Sequence, residues 1–155
     1  MSRTDTAEPG SECLALSEGE REVLALEAST FARAVADPLA RARFERLAVA
    51  AAAGTVPSDL VAAVETMLEL VFERGRPSNR AVLQAIYAKT PRGRQQTAAS
   101  RDVNEALRSL RGQTLTDLRV SAGPGRHTLV LETDRSRLTL ELDSAGARVA
   151  SLETG

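Results

Sequence analysis

At Gly112 the hydrophobic period of this chain changes, and the change limits the folds open to it. Upstream, apolar residues recur at steps of three and four; downstream they alternate. The first spacing lines one stripe of a helix, and the second lines one face of a strand. Helices followed by short alternating runs with tight turns read as α+β. The expected architecture is an N-terminal bundle of about five helices followed by a C-terminal antiparallel β-meander of three to four strands.

The helical part carries its own punctuation. Ser17 and Glu20 have the spacing of a capping box, and Leu24, Ala28, Phe31 and Val35 then form one apolar stripe. Asp37 and Pro38 read as the N-cap and first residue of a second helix. It buries Phe44, Leu47, Ala48 and Ala51 and stops at Gly54. The third helix, 59–74, is the most apolar. Its apolar residues cover about 200° of arc, so it should sit centrally. Glu65, Glu69 and Glu73 share its remaining face and read as a solvated stripe rather than a metal site. Ser78 caps a fourth helix with Val82, Leu83, Ile86 and Tyr87 on its apolar edge. Pro91 and Gly93 then mark 88–97 as a loop before a fifth helix, 98–111.

Beyond Gly112, runs at 115–122, 126–134, 135–143 and 147–153 alternate, with Gly-containing turns at 123–125 and 144–146. One face carries Leu118, Val120, Leu129, Leu131, Leu138, Leu140 and Leu142, and it needs a cover that the helices can supply. Residues 1–16 are polar with Pro9 and Gly10 and read as a flexible N-terminal tail. Residues 17–155 then form one compact domain, with 17–112 helical and 113–155 a meander packed on it.

Of 155 residues, 43% are hydrophobic and only 3% aromatic, so the core must be built from Leu, Val and Ala. The lone cysteine, Cys13, rules out an intrachain disulfide and fits a cytoplasmic setting. The longest apolar run, Leu47 to Ala53, falls far short of the ~20 residues that span a bilayer, so no membrane partner is expected. His127, the single histidine, starts a strand and has no orienting carboxylate or nucleophile in sequence reach. No catalytic, metal-binding or cofactor constellation is present, and the chain reads as a non-enzyme without a cofactor.

Charge is the one unusual feature. Between Arg74 and Arg111 stand nine basic residues against Asp102 and Glu105, a local net of +7 in a chain whose net charge is −1. The 73 residues before carry six Arg and thirteen acids. Arg101, Asn104, Arg108 and Arg111 recur at steps of three, four and three, on a helix face about 120° from the apolar side. Within the same segment, Pro91-Arg92-Gly93-Arg94 resembles the core of an AT-hook. That resemblance implies an extended Arg-Gly-Arg lying in the narrow minor groove of A·T-rich DNA. The chain departs from that pattern in having Gln95 where a second proline belongs.

Two functions fit. The first is a non-enzymatic protein–protein interaction or adaptor module that uses segregated acidic and basic surfaces, bound to another protein or to itself. The alternative is nucleic-acid binding through the Arg-rich segment. In both, the contact residues are Arg92, Arg94, Arg101, Asn104, Arg108 and Arg111. The pI of about 5.9 and the scarcity of aromatics for base stacking favour the first. A small apolar ligand held between sheet and bundle is a third, weaker fit.

Overall fold

The computed structural model describes residues 12–75 and 77–155; most of the expected tail, and Arg76 of the basic segment, lie outside the described residues. The architecture is α+β, with five helices among the described residues followed by a four-stranded antiparallel sheet. No helix among them is long and apolar enough to cross a membrane.

The chain divides into two compact units, Met1–Gly93 and Arg94–Gly155. The sequence suggests one domain with its internal boundary near residue 112. The division falls within the fifth helix, whose Val103 and Ala106 pack with Leu138 and Leu140 of the sheet.

In the first unit, α1 (Glu18–Ala34) packs on α2 (Pro38–Ala53). Phe31 and Phe44 meet edge to face with ring centroids 4.7 Å apart. The predicted caps of α1 and α2 are formed, whereas the fourth helix starts at Arg80 with Asn79, not Ser78, at its N-cap and no side-chain cap bond. The Ser17 amide donates to Glu20 at 2.8 Å, the Ala40 amide donates to Asp37 at 2.7 Å, and Gly54 takes the left-handed conformation (φ 94°) that closes α2. α3 (Ser58–Arg74) supplies more buried residues than any other helix, including Leu60, Val64, Met67 and Leu68. α4 (Arg80–Lys89) adds Leu83 and Ile86.

The end of the expected tail is not loose. Leu14 and Ala15 form β1, which pairs with β2 (Thr55–Val56), and Leu14, Leu16 and Val56 are all buried in the core. A two-residue strand leaves no periodicity to detect, so burial of two leucines is its only trace in the sequence.

The fifth helix, α5, runs Pro91–Ser109 and enters the second unit at Arg94, where the sheet has the order β3 (Leu115–Gly123), β4 (Arg126–Thr133), β5 (Ser136–Asp143), β6 (Gly146–Thr154). Leu118, Val120 and Ala122 stand opposite Leu131, Leu129 and His127, which stand opposite Leu138, Leu140 and Leu142. Side chains of directly paired residues share a face, so the leucines form one surface. Val103 and Ala106 of α5 close over Leu138 and Leu140, with Leu110, Leu129, Leu131 and Val149 at the margin. One helix cannot cover four strands. Leu118 and Val120 on β3 stay 54% and 67% exposed.

Candidate functional site

The two units share out the basic segment, and the two shares differ in kind. In the first unit Arg80, Lys89 and Arg92 are held by local partners. Lys89 meets Glu20 at 2.6 Å. Burial would push the Glu20 carboxyl up, but the Lys89 ammonium and the Ser17 amide outweigh it and hold it below its ordinary value. Arg80 lies over the Phe72 ring, 5.4 Å from its centroid.

The most developed of these groups surrounds the start of α5. Thr90, fully buried, has extended backbone and accepts the Gly93 amide on Oγ1 at 3.2 Å. It acts as the cap, with Pro91 as the first helical residue, where a missing N–H costs nothing. The next amide, Arg92, donates to Glu65 Oε1 at 2.8 Å. A carboxylate at this place satisfies an orphan donor and meets the positive end of the helix dipole. The Arg92 guanidinium turns back to the same acids, at 3.4 Å from Glu65 and 3.1 Å from Glu69. Tyr87 donates its hydroxyl to Glu69 at 2.8 Å. Burial first, then the bond to Glu69 and the negative charges nearby, push the Tyr87 phenol up to about 12. It is therefore a fixed donor at neutral pH and no base.

Gly93 is required here by contact, not by dihedral. A Cβ on it would overlap the Tyr87 carbonyl oxygen and lie 2.9 Å from the Ala88 Cα. The end of α4 and the start of α5 approach too closely for any side chain between them.

These contacts correct three expectations. Residues 91–97 are helix, not loop. Pro91-Arg92-Gly93-Arg94 is the opening turn of α5, so it lacks the extended backbone that an AT-hook needs. The glutamates of α3 are not a solvated stripe. Glu65 is buried at 5%, Glu69 is half-buried and Glu73 is exposed, because the α5 start sits on the first two. The structure thus pairs Arg92 with Glu65 and Glu69, although its side chain stays half exposed. Arg94, exposed at the surface, is also engaged.

The remaining contact residues lie in the second unit. Arg101, Asn104 and Arg108 are exposed on the side of α5 away from Val103 and Ala106. Asn104 donates to the Ser100 carbonyl at 2.9 Å, which holds its side chain along the helix. Arg101 is 77% exposed and, among the described residues, is paired only with its neighbour Asp102, at 3.9 Å, an arrangement of little energetic weight. Arg111 lies beyond the helix, in the turn that follows Ser109, and is exposed there. Leu107, 39% exposed, borders this face. The result is a charged face with an apolar margin, Arg101 and Arg108 being about 10 Å apart along the axis with exposed Glu105 spaced between them.

His127 is an exposed strand residue paired with Ala122 and Leu142. Cys13 is exposed. In the first unit an open hollow of about 350 Å³ lies between α1 and the end of α3, bordered by Phe31, Val71, Glu27 and Arg74.

The clamp residues Glu65, Tyr87 and Thr90 were not picked out by sequence. The signal was present: Thr-Pro is a cap followed by a first helical residue, but Pro91 and Gly93 together read more strongly as breakers. No protein-family model matches this chain, and no similar curated protein or solved structure is found.

Proposed function

We propose that this chain is a non-enzymatic interaction module that presents the Arg101–Asn104–Arg108 face of α5 to an acidic surface of another protein. The observation that carries this reading is the contrast between the two halves of the basic segment. In the first unit Lys89 and Arg92 are engaged by carboxylates, while Arg101 and Arg108 face solvent beside exposed Leu107. Arginine beside apolar surface is enriched in protein interfaces, and exposed charges orient a complementary partner. Nucleic acid is the competing reading. It is weakened by the helical state of Pro91–Arg94 and by the few cations left on the exposed face.

The test pairs native co-purification with a gel shift on mixed-sequence duplex DNA at two salt concentrations. The wild type is expected to retain a protein partner and to leave DNA unshifted at micromolar protein. The Arg101→Glu/Arg108→Glu variant is expected to lose the partner. Salt-sensitive DNA binding that disappears with Arg108→Glu would instead establish the nucleic-acid reading.

A further inference from the structure

β3 is an edge strand, and its outward side is unusually open. The turn Pro124–Gly125 joins β3 to β4, with Gly123 opposite Arg126 as the closing pair. In a two-residue hairpin the closing pair exchanges both backbone hydrogen bonds, and bonded and non-bonded pairs then alternate. Counting back, Ser121, Arg119 and Asp117 direct their backbone groups to β4. Ala122, Val120 and Leu118 direct theirs to the open edge. The Leu118 amide agrees with this count: it is taken by the side chain of Asp117, Oδ1 at 2.8 Å, and not by a β4 carbonyl. The side chains of Leu118 and Val120 stand on the uncovered part of the apolar face, and Asp117 and Arg119 stand on the other.

We infer that β3 pairs antiparallel with β3 of a second copy of this chain, on a two-fold axis at Leu118. The inference rests on the reading of the chain as an interaction module and assigns it one partner, at a surface separate from the Arg face of α5. The register follows from chemistry. A two-fold pairing centred on Leu118 matches Leu118 with its own copy, both with free backbone groups turned outward. It sets Asp117 of each chain opposite Arg119 of the other, on one face of the joined sheet. Centring on Arg119 would oppose two guanidinium groups, and centring on Val120 would leave both charges opposite Ser121 or Gly123. Only the first register is complementary in charge.

No polar group is stranded by this step. Leu118 of the second copy accepts the amide that Asp117 now holds. The Asp117 carboxylate, now 2.9 Å from Arg119 of its own chain, turns to the Arg119 of the other. The gain is the added ladder and the cover that Leu118 and Val120 give each other across the axis. This is β-strand addition between identical edges, and symmetric contacts of this kind close on themselves.

Sedimentation of the wild type over a concentration series tests it. A monomer–dimer equilibrium is expected, with a dissociation constant on the order of 10 µM for so small an interface. Val120→Pro removes an outward amide and no β3–β4 bond, so it should fold normally by circular dichroism and remain monomeric. Arg119→Asp should weaken the dimer about tenfold, by setting like charges opposite each other twice. Adding Asp117→Arg to the same chain restores complementarity and should return the constant to near the wild-type value. A wild type that stays monomeric to about 200 µM, twenty times the expected constant, overturns the inference. So does a Val120→Pro chain that dimerises like the wild type, or a double exchange that fails to recover. Arg101→Glu/Arg108→Glu should leave the dimer unchanged. Loss of the β3 dimer and loss of partner retention at α5 are thus separate results.

Discussion

Replacing Gly93 by alanine is expected to destabilise the first unit by about 3 kcal/mol, although it adds one methyl group to a position that a helix would ordinarily welcome. Gly93 lies in the first turn of α5, where alanine has the better intrinsic propensity. The methyl would meet the Tyr87 carbonyl and the Ala88 backbone, and backbone cannot step aside as a flexible side chain can. The junction of α4 and α5 must open to admit it, and opening it pulls the Arg92 amide from Glu65 and the Gly93 amide from Thr90. Urea unfolding followed by the lone Tyr87 and by helical circular dichroism measures the effect. An unchanged or raised midpoint would show that the close approach does not exist. The same experiment bears on the AT-hook resemblance, since an extended Arg-Gly-Arg would tolerate alanine without loss of stability.

Glu65→Ala is the second large effect, expected to cost about 2 kcal/mol. The carboxylate is buried and accepts the Arg92 amide, so its removal leaves a helix-start donor unpaired and one face of the Arg92 guanidinium without its acid. Glu65→Gln keeps an acceptor and loses the charge, and about 1 kcal/mol is expected. A second readout separates this clamp from mere packing. Glu65 contributes to holding the Tyr87 phenol up at about 12, so ultraviolet titration of this single tyrosine should give a lower midpoint in both variants. The raised value means that Tyr87 stabilises the fold fully below the unfolded phenol value near ~10, and that this contribution is lost as pH climbs to about 12. Variants with equal stability loss but an unmoved phenol would place the effect in packing alone.

Much of the fold was legible because local signals agreed with one another. Asp37-Pro38, Gly54 and the wide apolar arc of α3 each mark a boundary or a burial that the structure contains. The alternation after Gly112 corresponds to four strands in simple order. What escaped was set by contacts distant in sequence. Whether Pro91 and Gly93 break a helix or begin one depends on Thr90 and on Glu65, the latter 27 residues away. Whether Glu65 is wet depends on what lies against it, and spacing along α3 cannot say. Arg111 fell out of the predicted stripe because α5 ends at Ser109 and Gly112 turns the chain at φ 74°. The candidate site was therefore half legible: the Arg101–Asn104–Arg108 row follows from helical period alone, while the removal of Arg92 from it needed the fold.

The central claim is that one basic segment does two things, with Lys89 and Arg92 of its first part held by carboxylates and Arg101 and Arg108 of its second part turned to solvent. Paired urea midpoints of Arg92→Glu and Arg108→Glu test it most directly. Arg92→Glu places a third carboxylate beside Glu65 and Glu69 and is expected to cost about 1–2 kcal/mol. Arg108→Glu should change stability by no more than about 0.5 kcal/mol, the range of an exposed substitution. A loss at Arg108 equal to that at Arg92 would show that the outer row also serves the fold, and would contradict the account.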